Sequence, residues 1–244
     1  MQPHNTYFIC TTPHSGSELL CDGLRQSGIA GLPTEHFAML GKKMYEEQLA
    51  VSKKPEIARG ISKQSNAYLS EDYLADVFAY GTSRNGVFGT VVIWDYFDDF
   101  VCRLRQISAY KESPVLDLLS AHFPNLHFIW MTRRDKERQA TALWRAYQTE
   151  AGMCDHTLLP GKERPVRFEI IERLALGIVS DEADWLSFFK ACGIQPITVI
   201  YEEFITSYQI TLQHLLQDLC IPSPENSFFH FNTEESITSS LKII

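Results

Sequence analysis

Two periods of apolar residues alternate along this chain. Tyr7–Thr12 is a short apolar and β-branched run closed by Pro13, the pattern of a buried strand. From Glu18 onward Leu19, Leu20, Leu24 and Ile29 recur at helical spacing, and Gly28 is a natural stop. Between the two lies the turn cluster Pro13-His14-Ser15-Gly16-Ser17. The same alternation repeats downstream. Val87–Trp94, Leu126–Met131 and Ile197–Tyr201 read as further strands. Helices are predicted over Ser70–Tyr80 with Ser70 as cap, from Asp95, Asp98 and Asp99 onward, and over Ser113–His122 with Ser113 as N-cap and Pro114 at the first helical position. Others follow at Lys136 to about Glu150, Arg167–Cys192, around Glu202–Phe204 and over Thr211–Leu219. Residues 40–68 look helical and polar around Lys42–Ala50, then loop-like. Gly152–Pro165 lacks periodicity and is expected to be a flexible excursion, and from Pro222 the tail turns polar and is expected to be poorly ordered. Strands alternating with helices predict one α/β domain over 1–244, three layers deep, with a mainly parallel central sheet.

In such a sheet the chemistry sits at the carboxyl ends of the strands, and three segments there carry candidate groups. A Gly-containing loop between a strand and a helix start converges backbone N–H groups and a helix dipole, which favours an anion. The His14–Leu19 segment lacks the Gly-Lys-Ser/Thr of a Walker A loop and the G-x-G-x-x-G spacing. Ser15 and Glu18 also have the spacing of a capping box. After the third strand, Arg133, Arg134 and Arg138 form a candidate anion clamp, or pair with Asp135 and Glu137. The loop after the first helix, held by Gly31 and Pro33, carries Glu35 and His36.

Composition narrows the function. A net charge of −8 argues against a nucleic-acid binder, which normally carries a basic excess. No apolar run reaches membrane-spanning length, and MQPHNTYF is no signal peptide, so a cytoplasmic protein is expected. The six cysteines have no C-x-x-C spacing and read as reduced core thiols, and the histidines form no metal motif.

Taken together, Thr12–Leu20, Gly28-Ile-Ala-Gly31, Pro33-Thr-Glu35-His-Phe37, Asn85–Gly89 with Trp94, Arg133-x-Asp135 and Leu143–Thr149 resemble the bacterial trehalose 2-sulfotransferase family. The order and gaps match over roughly residues 7–222. The resemblance implies a P-loop-like sulfotransferase fold and 3′-phosphoadenylyl sulfate (PAPS) as donor. It also implies transfer of a sulfuryl group to a hydroxyl of a carbohydrate or glycolipid, without a metal. A homodimer is a further expectation.

By resemblance, His14, Ser15, Gly16, Ser17, Glu18 and Leu19 would hold the 5′-phosphosulfate, through backbone N–H groups and the Ser15 and Ser17 hydroxyls. Arg133 and Arg138 would hold the 3′-phosphate. Glu35 matches the family's general base, with His36 as its rival, and His36, Phe37 and Trp94 would line the acceptor site. The chain has His14 where the family usually has Arg, Glu18 for Thr, Val91 for Lys and Arg138 for Ser. The alternative is a catalytically impaired relative that binds a nucleotide or sugar ligand without transferring sulfate. A P-loop kinase is disfavoured by the missing Walker lysine.

Overall fold

The computed structural model describes residues 2–38, 69–154 and 168–222. The expectations for 40–68, for 155–165 of the excursion and for the tail past Pro222 lie outside the described residues.

Strands β1 (Asn5–Thr11), β2 (Val87–Ile93), β3 (Leu126–Thr132) and β4 (Ile197–Ile200) form one parallel sheet in the order β2-β1-β3-β4. β1 is therefore central, flanked by its two crossover partners. Helices α1 (Ser17–Gln26), α2 (Glu71–Gly81), α3 (Trp94–Ile107) and α4 (Val115–His122) precede β3 or lead into it. Helices α5 (Lys136–Cys154), α6 (Phe168–Ala191), α7 (Tyr201–Thr206) and α8 (Tyr208–Asp218) complete the described chain. α5 runs three residues into the predicted excursion. α4 starts at Val115, with Pro114 rather than Ser113 at its N-cap. The Ser70 cap is present: its hydroxyl accepts the Tyr73 N–H at 3.1 Å.

The strands alternate between two apolar layers, as period-two side chains must. Phe8, Cys10, Phe88, Val92, Phe128 and Trp130 face α2, α3, α4 and α6, in a cluster rich in aromatic edges. Tyr7, Ile9, Val91, Ile129, Met131 and Val199 face α1, α7 and α8. Helices on both faces explain why the strands read as continuous apolar runs. Among the described cysteines, Cys10 and Cys21 are core thiols as expected, whereas Cys102 and Cys220 are exposed. No described helix is long and apolar enough to cross a membrane.

A contact between two helices of the first layer is ionisable. Asp181 on α6 hydrogen-bonds the Asp95 carboxyl at the start of α3. Burial, then the charge and the hydrogen bond of Asp95, push its pKa up to about 7. The folded state therefore keeps a proton that the unfolded chain releases near pH 4, so stability falls as pH rises from about 4 to about 7. Asp181→Asn is expected to raise stability at pH 8 by about 1 kcal/mol, a figure reduced for solvent screening at a half-exposed site. Near pH 4 the gain should vanish. Melting curves at the two pH values check this, and an equal gain at both would refute the shared proton.

Candidate active site

The carboxyl ends of all four strands open into one cleft of about 150 Å³. Pro13, His14, Gly16, Ser17, Glu18 and Leu19 line it from the β1–α1 connection. Ile93 comes from β2, Arg133 from just past β3, Ala142 from α5, Tyr201 from the start of α7 just past β4, and Glu35 from the loop after α1. The volume is below the ~300–1,000 Å³ of pockets that enclose a whole ligand. A larger hollow at Leu126, Ile194 and Ile197 lies at the opposite, amino-terminal edge of the sheet and gathers none of these groups.

The β1–α1 loop is shaped by its backbone. His14 (φ +58°) and Gly16 (φ +98°) both take the left-handed conformation, the kind of winding that turns successive N–H groups into a concave anion site. Only glycine fits at 16. A Cβ there would lie 2.2 Å from Cδ2 of Tyr201. That Tyr201 ring also lies 4.7 Å under the Arg133 guanidinium, so one aromatic plate separates the loop from the arginine.

The predicted capping box does not form. Gly16 is the N-cap of α1, and no side chain bonds its first turn. Ser15 is fully buried, and its hydroxyl lies 2.5 Å from Thr11 Oγ1. Thr11 donates its own hydroxyl proton to the Met131 carbonyl at 2.8 Å, so Ser15 is the donor of the pair. Ser15 is not among the residues that line the cleft, whereas Ser17 is. Two further bonds brace the loop: Trp185 Nε1 donates to the Thr11 carbonyl at 2.9 Å, and Gln139 Nε2 donates to Thr12 Oγ1 at 2.9 Å and to the Pro13 carbonyl at 2.7 Å.

Arg133 is the cleft's buried cation, 4% exposed, and its Nε has no hydrogen-bond partner among the described residues. A buried charged donor left unpaired is unfavourable unless a ligand completes it. Glu202 fixes the turn that carries it, accepting the N–H groups of Arg134 and Asp135 at 3.0 and 3.1 Å. Burial works to raise the Glu202 pKa, but those bonds, together with the charge of Arg133, lower it. Lys136 is committed to Glu182 at 2.6 Å. Arg138 does not line the cleft; it is exposed, and its Nε pairs with Asp135 at 3.2 Å.

Glu35 reaches the cleft because its loop runs along the open edge of β2. The Thr34 carbonyl accepts Val91 N–H at 2.9 Å and Thr90 Oγ1 at 3.1 Å. Gly31 passes so close to β2 that a Cβ would meet the Val87 carbonyl at 2.8 Å. The Glu35 carboxyl keeps solvent access at the cleft mouth, yet the walls around it raise its pKa, and the negative charge of Glu18 raises it further. His36 points the other way. It is buried, its Nε2 meets the Leu32 carbonyl at 3.1 Å, and its ring stacks on Phe88. Burial pushes its pKa down to about 4 despite the Leu32 bond, which works to raise it. The ring is therefore neutral at pH 7, donates Nε2–H to Leu32, and is no rival base in the cleft. Phe37 has no exposed surface and packs at 4.5 Å on Phe100; Trp94 packs on Trp185 and Phe97. The structure places these three in the fold's packing instead of in the lining of the cleft. Val91 is buried in the layer beneath α1.

Sequence reasoning missed Tyr201 and Gln139. Tyr201 follows the last residue of β4, the position equivalent to Thr12 and Arg133 on neighbouring strands. Gln139 is a polar residue on the buried stripe of α5 beside Ala140 and Leu143. Among the described residues no three His, Cys, Asp or Glu side chains converge as a metal site.

Comparison with known proteins adds the following. The sequence model of one family, Stf0 sulphotransferase, matches residues 6–228. The trehalose 2-sulfotransferase of Mycolicibacterium smegmatis is 27% identical over 224 residues, covering 82% of this chain and 79% of that protein. That of Mycobacterium tuberculosis is 24% identical over 214 residues, covering 80% and 76%. Among solved structures, the sulfotransferase domain of the Synechococcus PCC 7002 olefin synthase superposes with a TM-score of 0.43 at 14% identity, over 92% of this chain and 76% of that one.

Proposed function

The chain belongs to the Stf0 sulphotransferase family, and from that premise we propose that it transfers a sulfuryl group from PAPS to a hydroxyl of a carbohydrate or glycolipid. The observation that carries this reading is the buried Arg133, its Nε without a partner among the described residues, lining the same cleft as the left-handed His14–Gly16 backbone and Glu35. A cation and a cradle of N–H groups suit a donor with two anionic ends, and the opposed carboxylate suits an acceptor that must lose a proton.

In this reading PAPS, when bound, supplies the electrophilic sulfuryl group. The backbone from His14 to Leu19 and the Ser17 hydroxyl would hold its phosphosulfate, and the Arg133 guanidinium would hold a phosphate. Glu35 would take the proton of the acceptor hydroxyl at its carboxylate oxygen, while the sulfuryl group leaves the 5′-phosphate oxygen for the acceptor oxygen and adenosine 3′,5′-bisphosphate departs. The raised pKa of Glu35 moves it toward neutral pH, where a general base works best. Glu18 stands at the same mouth and supports no interaction with the donor's anionic end. The named activity of the mycobacterial relatives makes a sugar hydroxyl the first acceptor class to test.

The test is binding of adenosine 3′,5′-bisphosphate, the product left by PAPS. It should raise the melting temperature of the wild-type chain, because a ligand specific to the folded state stabilises it. It should outcompete ATP. Arg133→Ala should weaken its affinity by about 10–100-fold, the loss of a charge-assisted hydrogen-bonding group. No thermal shift at millimolar bisphosphate would overturn the donor assignment. Binding without transfer to any sugar would favour the ligand-binding relative instead.

A further inference from the structure

We propose that Gln139 is the positioning residue of the β1–α1 loop, holding Thr12 and Pro13 so that the His14–Ser17 backbone stays open toward Arg133. Its effect on donor affinity rests on the PAPS reading above; the bonds that carry it do not.

Gln139 is fully buried on α5 and does not line the cleft. Both protons of its amide nitrogen are spent on the loop, one on Thr12 Oγ1 and one on the Pro13 carbonyl. No other hydrogen bond reaches those two atoms among the described residues. Pro13 has no N–H of its own, so its carbonyl is the last backbone group before the left-handed turn at His14. The other braces act earlier or face elsewhere: Trp185 and Met131 secure Thr11, and Ser15 closes back onto Thr11. Gln139 thus ties the start of the turn to α5.

Its other amide end is informative. Oε1 of Gln139 is buried without a partner, an arrangement that works against stability. An apolar side chain would fill the same space on α5 without that penalty. The nitrogen's two bonds are therefore what the residue contributes. α5 follows directly on the turn that bears Arg133, so one rigid helix sets the loop and the arginine relative to each other.

The experiment compares wild type with Gln139→Leu by amide hydrogen exchange without ligand, then by titration with adenosine 3′,5′-bisphosphate. Exchange at His14–Leu19 should speed up about tenfold or more while exchange in β1 and β3 is unchanged. A general loss of stability would move all three segments together. Bisphosphate affinity should fall about tenfold or more, and adding Thr12→Val to Gln139→Leu should reduce it little further, since both act through one contact. Wild-type exchange at His14–Leu19 in Gln139→Leu overturns the proposal, and so does exchange that rises equally in all segments. If Gln139→Leu does not fold, Thr12→Val alone deletes one bond from the other side, and wild-type loop exchange in that variant overturns the proposal equally. If the wild type itself binds no bisphosphate, the donor reading falls, and the exchange experiment still decides the role of Gln139.

Discussion

Turnover should drop about 10²–10⁴-fold in Glu35→Gln, the usual consequence of removing a general base, while affinity for adenosine 3′,5′-bisphosphate holds or improves slightly. Glutamine keeps the volume and loses the proton acceptor. The loop that carries it is fixed by backbone bonds from Val91 and Thr90 to Thr34, which the substitution leaves alone. Affinity should not fall, because Glu35 is negative and contributes repulsion to an anionic donor. The wild-type pH profile gives a second measure. Its acid limb should lie above the ordinary glutamate value near 4.3, since burial and then Glu18 both raise the Glu35 pKa. Glu18→Thr should move that limb downward. His36→Asn should leave the limb in place, because the imidazole is buried against Leu32 and Phe88 away from the cleft. Wild-type turnover in Glu35→Gln would take this carboxylate out of the chemistry.

Gly16→Ala should unfold the site locally and weaken the whole protein by about 2–5 kcal/mol. Two terms add. An alanine at φ +98° pays the left-handed penalty of about 1–2 kcal/mol. Its Cβ, 2.2 Å from Tyr201 Cδ2, forces either the ring or the loop to move, an overpacking term of about 1–3 kcal/mol. For a domain of this size the melting temperature should fall by roughly 5–15 °C. Bisphosphate affinity should fall roughly a hundredfold, because Tyr201 also supports the Arg133 guanidinium and its displacement disturbs both sides of the cleft. Tyr201→Ala in the same chain should recover the overpacking part only. Melting and titration of the three variants separate the terms, and an unchanged melting temperature in Gly16→Ala would show that the loop has no fixed conformation.

What the sequence revealed and concealed follows from physics of different range. The four strands were legible because a sheet covered on both faces demands unbroken apolar runs, as in Val87–Ile93 and Leu126–Thr132. The loop after β1 and Arg133 were legible because strand–turn–helix units announce where ligands sit. The loop's internal bonding was not. Ser15 and Glu18 have capping-box spacing, but spacing cannot show that Thr11 already offers Ser15 a partner and that Gly16 serves as the cap. The segment Glu35-His36-Phe37 illustrates the same limit. Three adjacent residues were read as one site, and the chain sends Glu35 to the cleft and the other two inward. Arg138 looked equivalent to Arg133 by charge, yet one helical turn carries it outward to Asp135. Gln139 was concealed because its partners are 126 and 127 residues away.

The central place of β1 in the order β2-β1-β3-β4 has a consequence in time. Its partners begin at Val87 and Leu126, and the plate beneath Arg133 is Tyr201. A ribosome working at about 5–20 residues per second takes roughly 10–40 s to travel from Thr11 to Tyr201. For much of that interval the central strand, with its apolar run Tyr-Phe-Ile-Cys, exists without a complete sheet and cleft around it. Parallel pairing of this kind closes long loops and is slow for that reason. The cleft is therefore among the last features of the nascent protein to exist, and the time before it forms is when β1 most needs shielding by a chaperone.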